Sequence, residues 1–442
     1  MNDSICPLQW RYGSEEMRQI FTISSIVKHY VMVEKALVCT LEEYGIAEKG
    51  CCELLDKVSF DPKVIYELEK TTGHDIASLV MKLEELTKCR FIHYGATSYD
   101  IVDTTWALII RQALSLVKRR LKEIIDILID LAKKHRDTLM IGRTHGQHAL
   151  PITLGFKFAN YIYEFSRSLE MICNVEKLVV KGKISGAVGT MASWNGLGID
   201  IEKKTLEKLG LEPHEITTQV VPRDGFAHLI STLAILGSQL DRLALEIREL
   251  SRTEISELRE GFERIGSSAM PHKVNPVTCE KISGLAKILR GLVIPALENI
   301  PLWHERDLTN SSSERILIPH AFLIIDEMLI SMIKVLKNLT IDTERMLKNL
   351  DLLKGYVLTE AVMNILISKG LSRTEAHKLL RELTRRYGDK VSLKEALMNF
   401  EEIRKYLTPD EIEGIDYKNY LGMYNELIDR AINYAMRVMK GL

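Results

Sequence analysis

Ile110, Leu114, Val117, Leu121, Ile124, Leu128 and Leu131 recur in alternating steps of four and three, the spacing that lays one apolar stripe along a long packed helix. A strand would need period two, so this stretch is excluded from any sheet. Helical spacing also runs through about 154–181, 226–262, 276–292 and 319–339, whereas β-branched runs of period two are scarce. Segments this long favour a mainly α fold built on a bundle of long helices over stacked short repeats. Apolar residues on the flanks of the main stripes add the expectation that the bundle packs against copies of itself.

Shorter helical patterns stand before the bundle, at 20–41 and 64–86, and after it, at 353–368, 374–387, 392–398 and 419–439. A chain of 442 residues suits two or three domains. The division expected is an N-terminal helical domain (1–105), a central bundle (106–350) carrying a loop at 262–277, and a small C-terminal helical domain (351–442). Lysine and arginine number 59 against 60 acidic residues, which removes any general pull towards nucleic acid or anionic membrane and makes anion binding a local matter. The N-terminus lacks a signal-peptide pattern and charges break the apolar runs, so a cytoplasmic protein without a membrane span is expected. Seven scattered cysteines, with Cys51 and Cys52 adjacent, read as free thiols in a reducing compartment.

The chemistry is concentrated between the helical segments. Gly266-Ser267-Ser268-Ala269-Met270-Pro271-His272-Lys273-Val274-Asn275-Pro276 must be a loop, because tandem serines, a glycine and two prolines do not belong in a helix interior. It offers hydroxyls, an imidazole, an ammonium and an amide, and the helix expected from Val277 would add unpaired backbone N–H groups that can face an anion. A solvated surface linker is the competing reading. Further polar clusters are Trp10 to Met17, where Ser14 is placed to cap a helix, Thr72 to Asp75, and Phe91 to Asp100. Gly142 to Pro151 holds His145 and His148, three residues apart; zinc is weighed there, but no acidic third ligand stands at a familiar spacing. Thr217 to Asp224 and Trp303 to Arg315 complete the set, and Arg306 and Arg315 suit a carboxylate or phosphate. Gly186, Gly189 and Gly196 lack a following lysine and make no phosphate-binding loop.

The 266–276 string resembles the signature loop Gly-Ser-Ser-x-Met-Pro-x-Lys-x-Asn-Pro of the fumarase, aspartase and argininosuccinate lyase superfamily. Arg11-Tyr12-x-x-x-Glu16-Met17, Gly73-His74-Asp75 and His93-x-Gly95-x-Thr97-Ser98-x-Asp100 resemble the adenylosuccinate lyases within it, as does Gly142-Arg143-Thr144-His145. That resemblance implies a three-domain lyase whose long helices assemble into a tetrameric helical core, with active sites shared between subunits. It also implies roles: Ser267 as general base and His145 as general acid supported by Glu280, beside which Lys273 would stabilise charge and Asn275 fix the turn or a carboxylate. Arg11, Tyr12, Ser311 and Arg315 would serve the phosphate, and Thr97 and Ser98 a succinyl carboxylate. His74, Asp75, His93, Gln147, Gln219 and Arg306 would complete the substrate contacts, with Asp100 holding its loop and His148 open to a structural role.

The implied reaction eliminates fumarate from adenylosuccinate to give AMP, and from succinylaminoimidazole carboxamide ribotide (SAICAR) to give AICAR, with no cofactor and no metal. A carboxymuconate cycloisomerase is the nearest rival, because those enzymes also carry Met-Pro-His-Lys, as at 270–273 here. A non-enzymatic helical scaffold would keep the apolar stripes but need not keep the polar clusters.

Overall fold

The computed structural model describes residues 5–262, 270, 272–388 and 390–441. In chain order the helices are α1 (Glu15–Ile20), α2 (Ile23–Glu43), α3 (Cys51–Asp56), α4 (Lys63–Thr72), α5 (Asp75–Thr87), α6 (Ser98–Lys134), α7 (Leu154–Val179), α8 (Gly198–Lys208), α9 (Asp224–Leu250), α10 (Val277–Gly291), α11 (Val293–Glu298) and α12 (Thr309–Lys337). Seven more follow: α13 (Thr343–Leu350), α14 (Thr359–Ser368), α15 (Arg373–Tyr387), α16 (Leu393–Asn399), α17 (Glu401–Arg404), α18 (Pro409–Glu413) and α19 (Tyr424–Lys440). Among the described residues six short strands make three two-stranded pairs: antiparallel β1 (Leu139–Thr144) with β2 (Gln147–Thr153), parallel β3 (Lys181–Gly182) with β4 (Glu212–Pro213), and antiparallel β5 (Leu258–Glu260) with β6 (Leu339–Ile341). The protein is mainly α and divides into two compact units, to both of which α6, α7, α9, α10 and α12 contribute residues.

The first unit comprises Met1–Leu121, Ser168–Asp241 and Ile282–Ser331. Its core follows from the stripes: Ile110, Leu114, Val117 and Leu121 of α6 are fully enclosed, as are Leu229, Leu233, Leu236 and Leu240 of α9 and Ile318, Phe322 and Ile325 of α12. Gly237 permits close helix packing, since a Cβ there would stand 2.7 Å from Cδ2 of Leu289 in α10. Cys39–Cys52 and Cys51–Cys89 are disulfides, with Cα separations of 4.7 and 5.9 Å, so the expectation of free thiols fails for four of the seven. Packing of α3 against α2 and α5 brings together cysteines that are far apart in sequence, which spacing alone does not reveal.

The second unit comprises Lys122–Arg167, Arg242–Lys281 and Met332–Leu442. Its C-terminal helices surround a core of Val362, Leu366, Leu383, Leu397, Phe400, Ile403 and Ile412, which also takes in Ile141 from β1. The hairpin is thus rooted in an apolar cluster while its tip is exposed.

Among the long helices two boundaries differ from the periodic reading. The pattern expected to run to residue 262 ends at Leu250, and Leu258–Glu260 pairs with Leu339–Ile341 instead. Helix α12 begins at Thr309, ten residues before the expected start, with Pro319 inside it. By length and composition α12 resembles a membrane span, but 72% of its apolar window is buried within the protein, the condition of a core helix.

Candidate active site

In the first unit, four sequence segments converge through their side chains. Gly73 ends α4 in the left-handed region (φ 68), and His74 caps α5 by accepting the Ala77 N–H at Nδ1, 3.3 Å away. An acceptor at Nδ1 leaves the ring proton on Nε2, which donates to Ser98 Oγ at 3.0 Å. Asp75 accepts from Arg315 Nη2 at 2.8 Å, so the arginine expected on a phosphate is held by a carboxylate of its own chain.

The turn before α6 is held from below. Asp100, wholly buried, accepts the N–H groups of Thr97 (2.7 Å), Ser185 (2.9 Å) and Gly186 (3.0 Å) and pairs with the buried ammonium of Lys183. Three backbone donors and one cation compensate a carboxylate that would otherwise be costly to bury. Gly95 is required here: its φ is +77, and a Cβ would fall 2.4 Å from Nε1 of Trp194, which donates to the Tyr94 carbonyl. Close by, burial pushes Glu202 up to about 7 although it accepts the Ile184 N–H. His93 has left-handed backbone (φ 60), and its Nδ1 meets Glu34 Oε1 at 2.6 Å.

A second buried network joins α6 to the approaches of α9 and α12. Arg223 forms a two-pronged bond with Asp103 (2.8 and 3.0 Å), and Asp103 also accepts the Val221 N–H at 2.9 Å. Glu314 lies 3.0 Å from Arg223 Nε, too oblique for a hydrogen bond, and takes one from Asn310. Burial, against the pull of Arg223 and with the charge of Asp103, raises Glu314 to about 7. The Arg306 guanidinium lies over the Tyr99 ring at 3.7 Å. Arg306 Nη1 donates to Gln219 Oε1 at 3.2 Å, while its Nε and Nη2 are shielded from solvent and have no acceptor among the described residues.

Arg11 and Tyr12 are pinned by their backbone. Arg18 donates to the Tyr12 and Gly13 carbonyls, Glu327 and Asp326 accept the Gly13 and Ser14 N–H groups, and Ser14 caps α1 through the Met17 N–H. The Arg11 guanidinium is exposed, 5.8 Å from the rings of both Trp10 and Tyr12. Among the described residues no hydrogen bond joins it to Arg306, Ser311 or Arg315.

In the second unit, Thr144 and Gln147 face each other across a two-residue turn in which His145 (φ 54) and Gly146 (φ 74) are both left-handed, the form that matches strand twist in a tight hairpin. His145 and Gln147 are exposed at this tip. The histidines at 145 and 148 therefore share no helical face, and no group of three or more metal-ligand side chains occurs among the described residues. His148 is held below its ordinary pKa by burial and by the charge of Arg143, and its Nδ1 is buried without a partner among the described residues. Arg143 fixes the hairpin by a two-pronged bond to Glu257 (2.7 and 3.0 Å), which is fully enclosed and also accepts from Asn349.

Ser267 lies outside the described residues. Lys273 is exposed in a turn closed by its N–H on the Met270 carbonyl; Asn275 is half-buried, and Glu280 stands exposed in the first turn of α10. The expectation that this helix start is open to an anion fails. Glu260 accepts the Thr278 and Cys279 N–H groups at 3.2 and 2.7 Å, so the chain supplies its own carboxylate there. Among the described residues no hydrogen bond joins Glu280 to His145.

Glu34, Tyr99, Asp103, Lys183 and Glu314 were not singled out as site residues in the sequence. The available signal was an acid or base interrupting an apolar helix face, as at Val33-Glu34 and Val102-Asp103.

A family profile described as "Lyase" matches residues 9–291, and one described as "Adenylosuccinate lyase C-terminus" matches residues 355–431. Adenylosuccinate lyase of Pyrococcus abyssi is 43% identical over 98% of this chain and 98% of its own, and that of Methanocaldococcus jannaschii 38% identical over 97% and 96%. Among solved structures, a fumarate lyase from Mesorhizobium sp. BNC1 superposes with a TM-score of 0.87 at 30% identity, covering 95% of this chain and 98% of that one. A 3-carboxy-cis,cis-muconate lactonizing enzyme from Pseudomonas putida does so at 0.87 and 27%, covering 97% and 98%.

Proposed function

The chain belongs to the adenylosuccinate lyases of the fumarase and aspartase superfamily, and on that premise we propose how its side chains divide the work. The protein is a carbon–nitrogen lyase of purine biosynthesis that eliminates fumarate from adenylosuccinate to leave AMP; the same chemistry converts SAICAR to AICAR. Three anionic groups must be held, two carboxylates and a phosphate. Thr97 and Ser98 take a succinyl carboxylate, His74, Asp75, His93, Gln147 and Gln219 line the substrate, and Arg11, Tyr12, Ser311 and Arg315 serve the phosphate. Arg306 carries this reading: two of its nitrogens, Nε and Nη2, are shielded from water without an acceptor among the described residues, a condition that an anionic ligand relieves.

In the chemical steps, Ser267 removes the proton β to the leaving nitrogen and negative charge builds on the adjacent carboxylate. Lys273 and Asn275 stabilise that aci-carboxylate, and the ammonium also makes the serine alkoxide accessible near neutral pH. The C–N bond then breaks, and His145, supported by Glu280, supplies the proton to the departing nitrogen. Exposure of His145, Lys273 and Glu280 supports sites that other subunits complete; a cytoplasmic homotetramer and a three-part division at about residues 105 and 350 are what the family implies.

Direct detection of AMP and fumarate from adenylosuccinate tests the reaction; turnover of carboxymuconate in its place would favour the cycloisomerase. Ser267→Ala should abolish exchange of the β-proton, and retained rapid exchange would remove the serine from its role.

A further inference from the structure

Glu34 sits in the middle of α2, fully enclosed, on a helix whose neighbouring positions Val33, Ala36, Leu37 and Val38 are all core. A carboxylate in such surroundings is costly unless a partner compensates it. Its Oε2 has no partner among the described residues, and its Oε1 meets His93 Nδ1 at 2.6 Å across 59 residues of sequence. Nothing in the local pattern of α2 calls for an acid there; the contact with His93 does.

A carboxylate can only accept, so Nδ1 of His93 carries a proton and Nε2 is the edge left for a ligand. Burial by itself would strip the second proton from the ring. The charge and hydrogen bond of Glu34, with a smaller contribution from Asp100, outweigh burial and raise the pKa of His93. These are the charged groups facing it, Glu34 from α2 and Asp100 from α6, and Asp100 is already paired with Lys183. The same short turn carries Thr97 and Ser98, four and five residues on.

We infer that Glu34 is a positioning residue, which holds His93 as an oriented cationic donor whose Nε2–H serves an anionic group of the substrate. This rests on the reading that His93 touches substrate, and the experiment keeps the two apart. In wild-type enzyme labelled with 15N-histidine, the His93 ring, identified by its loss in His93→Gln, titrates above the ordinary value of about 6.5; titration at or below it overturns the inference. In Glu34→Gln, where burial acts on the ring unopposed, the rise of KM for adenylosuccinate that accompanies loss of the ring proton shifts to lower pH than in wild type and reaches about tenfold by pH 7, with kcat much less affected. A merely structural Glu34 would lower Tm and leave the pH dependence of KM in place, which also overturns it. Glu34→Asp keeps the charge, withdraws it by one methylene and gives a smaller shift of the same sign, should the glutamine variant not fold. KM unchanged in His93→Gln removes the substrate contact and the inference with it. KM raised in His93→Gln with no shift in Glu34→Gln defeats the role of Glu34 alone.

Discussion

The turn at Ser98 and the hairpin at His145 both present candidate residues from tight, left-handed backbone, yet they are built in opposite ways. Behind the turn lie buried ion pairs, Asp100 with Lys183 and Asp103 with Arg223, that tie α6 to distant segments of its own unit. The hairpin is anchored below its tip, by Arg143 on Glu257 and by Ile141 in the C-terminal core, and its tip meets solvent. Groups that bind substrate gain from being fixed within one chain, because each rotamer frozen beforehand is one less to freeze on binding. On the proposed assignment the proton donor is the group presented outward, where residues of another subunit could reach it.

The largest effect expected from this contrast falls on chemistry without stability. His145→Ala should lower kcat by about 10²- to 10⁴-fold and leave Tm nearly unchanged, since the side chain is exposed; a large fall in Tm would break the contrast. Mixing His145→Ala chains with Ser267→Ala chains should restore part of the turnover after subunit exchange. Next comes Lys183→Met, which strands Asp100 in the core. It should cost about 3–5 kcal/mol in denaturant unfolding and raise KM through the loosened Thr97–Ser98 turn. Arg143→Met leaves Glu257 with Asn349 alone and should cost about 2–3 kcal/mol, with kcat down about tenfold as the hairpin tip wanders. Normal kcat there would show that the tip needs no anchor.

The smallest effect concerns pH. Glu202, pushed up to about 7, binds its proton more tightly folded than unfolded, so its contribution to stability is full below about 4.5 and is lost as pH rises through 7. Glu202→Gln should match wild type at pH 5 and exceed it by at most about 2 kcal/mol at pH 8.5. A variant less stable at pH 8.5 would mean that the carboxylate is needed ionised.

The long helices were legible because a stripe such as Ile110 to Leu128 has few other ways to be buried. Where the reading failed, a second pattern mimicked the first. Ile255, Leu258 and Phe262 continue the spacing of α9, yet a turn intervenes and β5 uses Leu258 at strand period. Pro319 looked like a helix start, whereas α12 runs through it and takes the serines at 311–313 into its first turns. Glu260 closing α10, the cysteine pairs and the Glu34–His93 contact all join residues tens of positions apart or masked by their neighbours, and local spacing carries no record of them. The candidate-site segments stood out in the sequence as polar clusters, since loops between long helices have few structural reasons to gather imidazoles and guanidinium groups.

His93 and His145 share one consequence of their backbone. Each is a branched-ring residue at a φ of 60 or 54, where an L side chain crowds the following carbonyl at a cost of about 1–2 kcal/mol and glycine feels none. Replacing either with glycine should therefore relax the turn even as it removes the imidazole. A directed-evolution experiment that rewarded thermal endurance alone would drift away from His145, whose side chain is exposed, whereas His93 would be kept by the enclosed Glu34 that it compensates; only a demand for turnover in the screen would hold both.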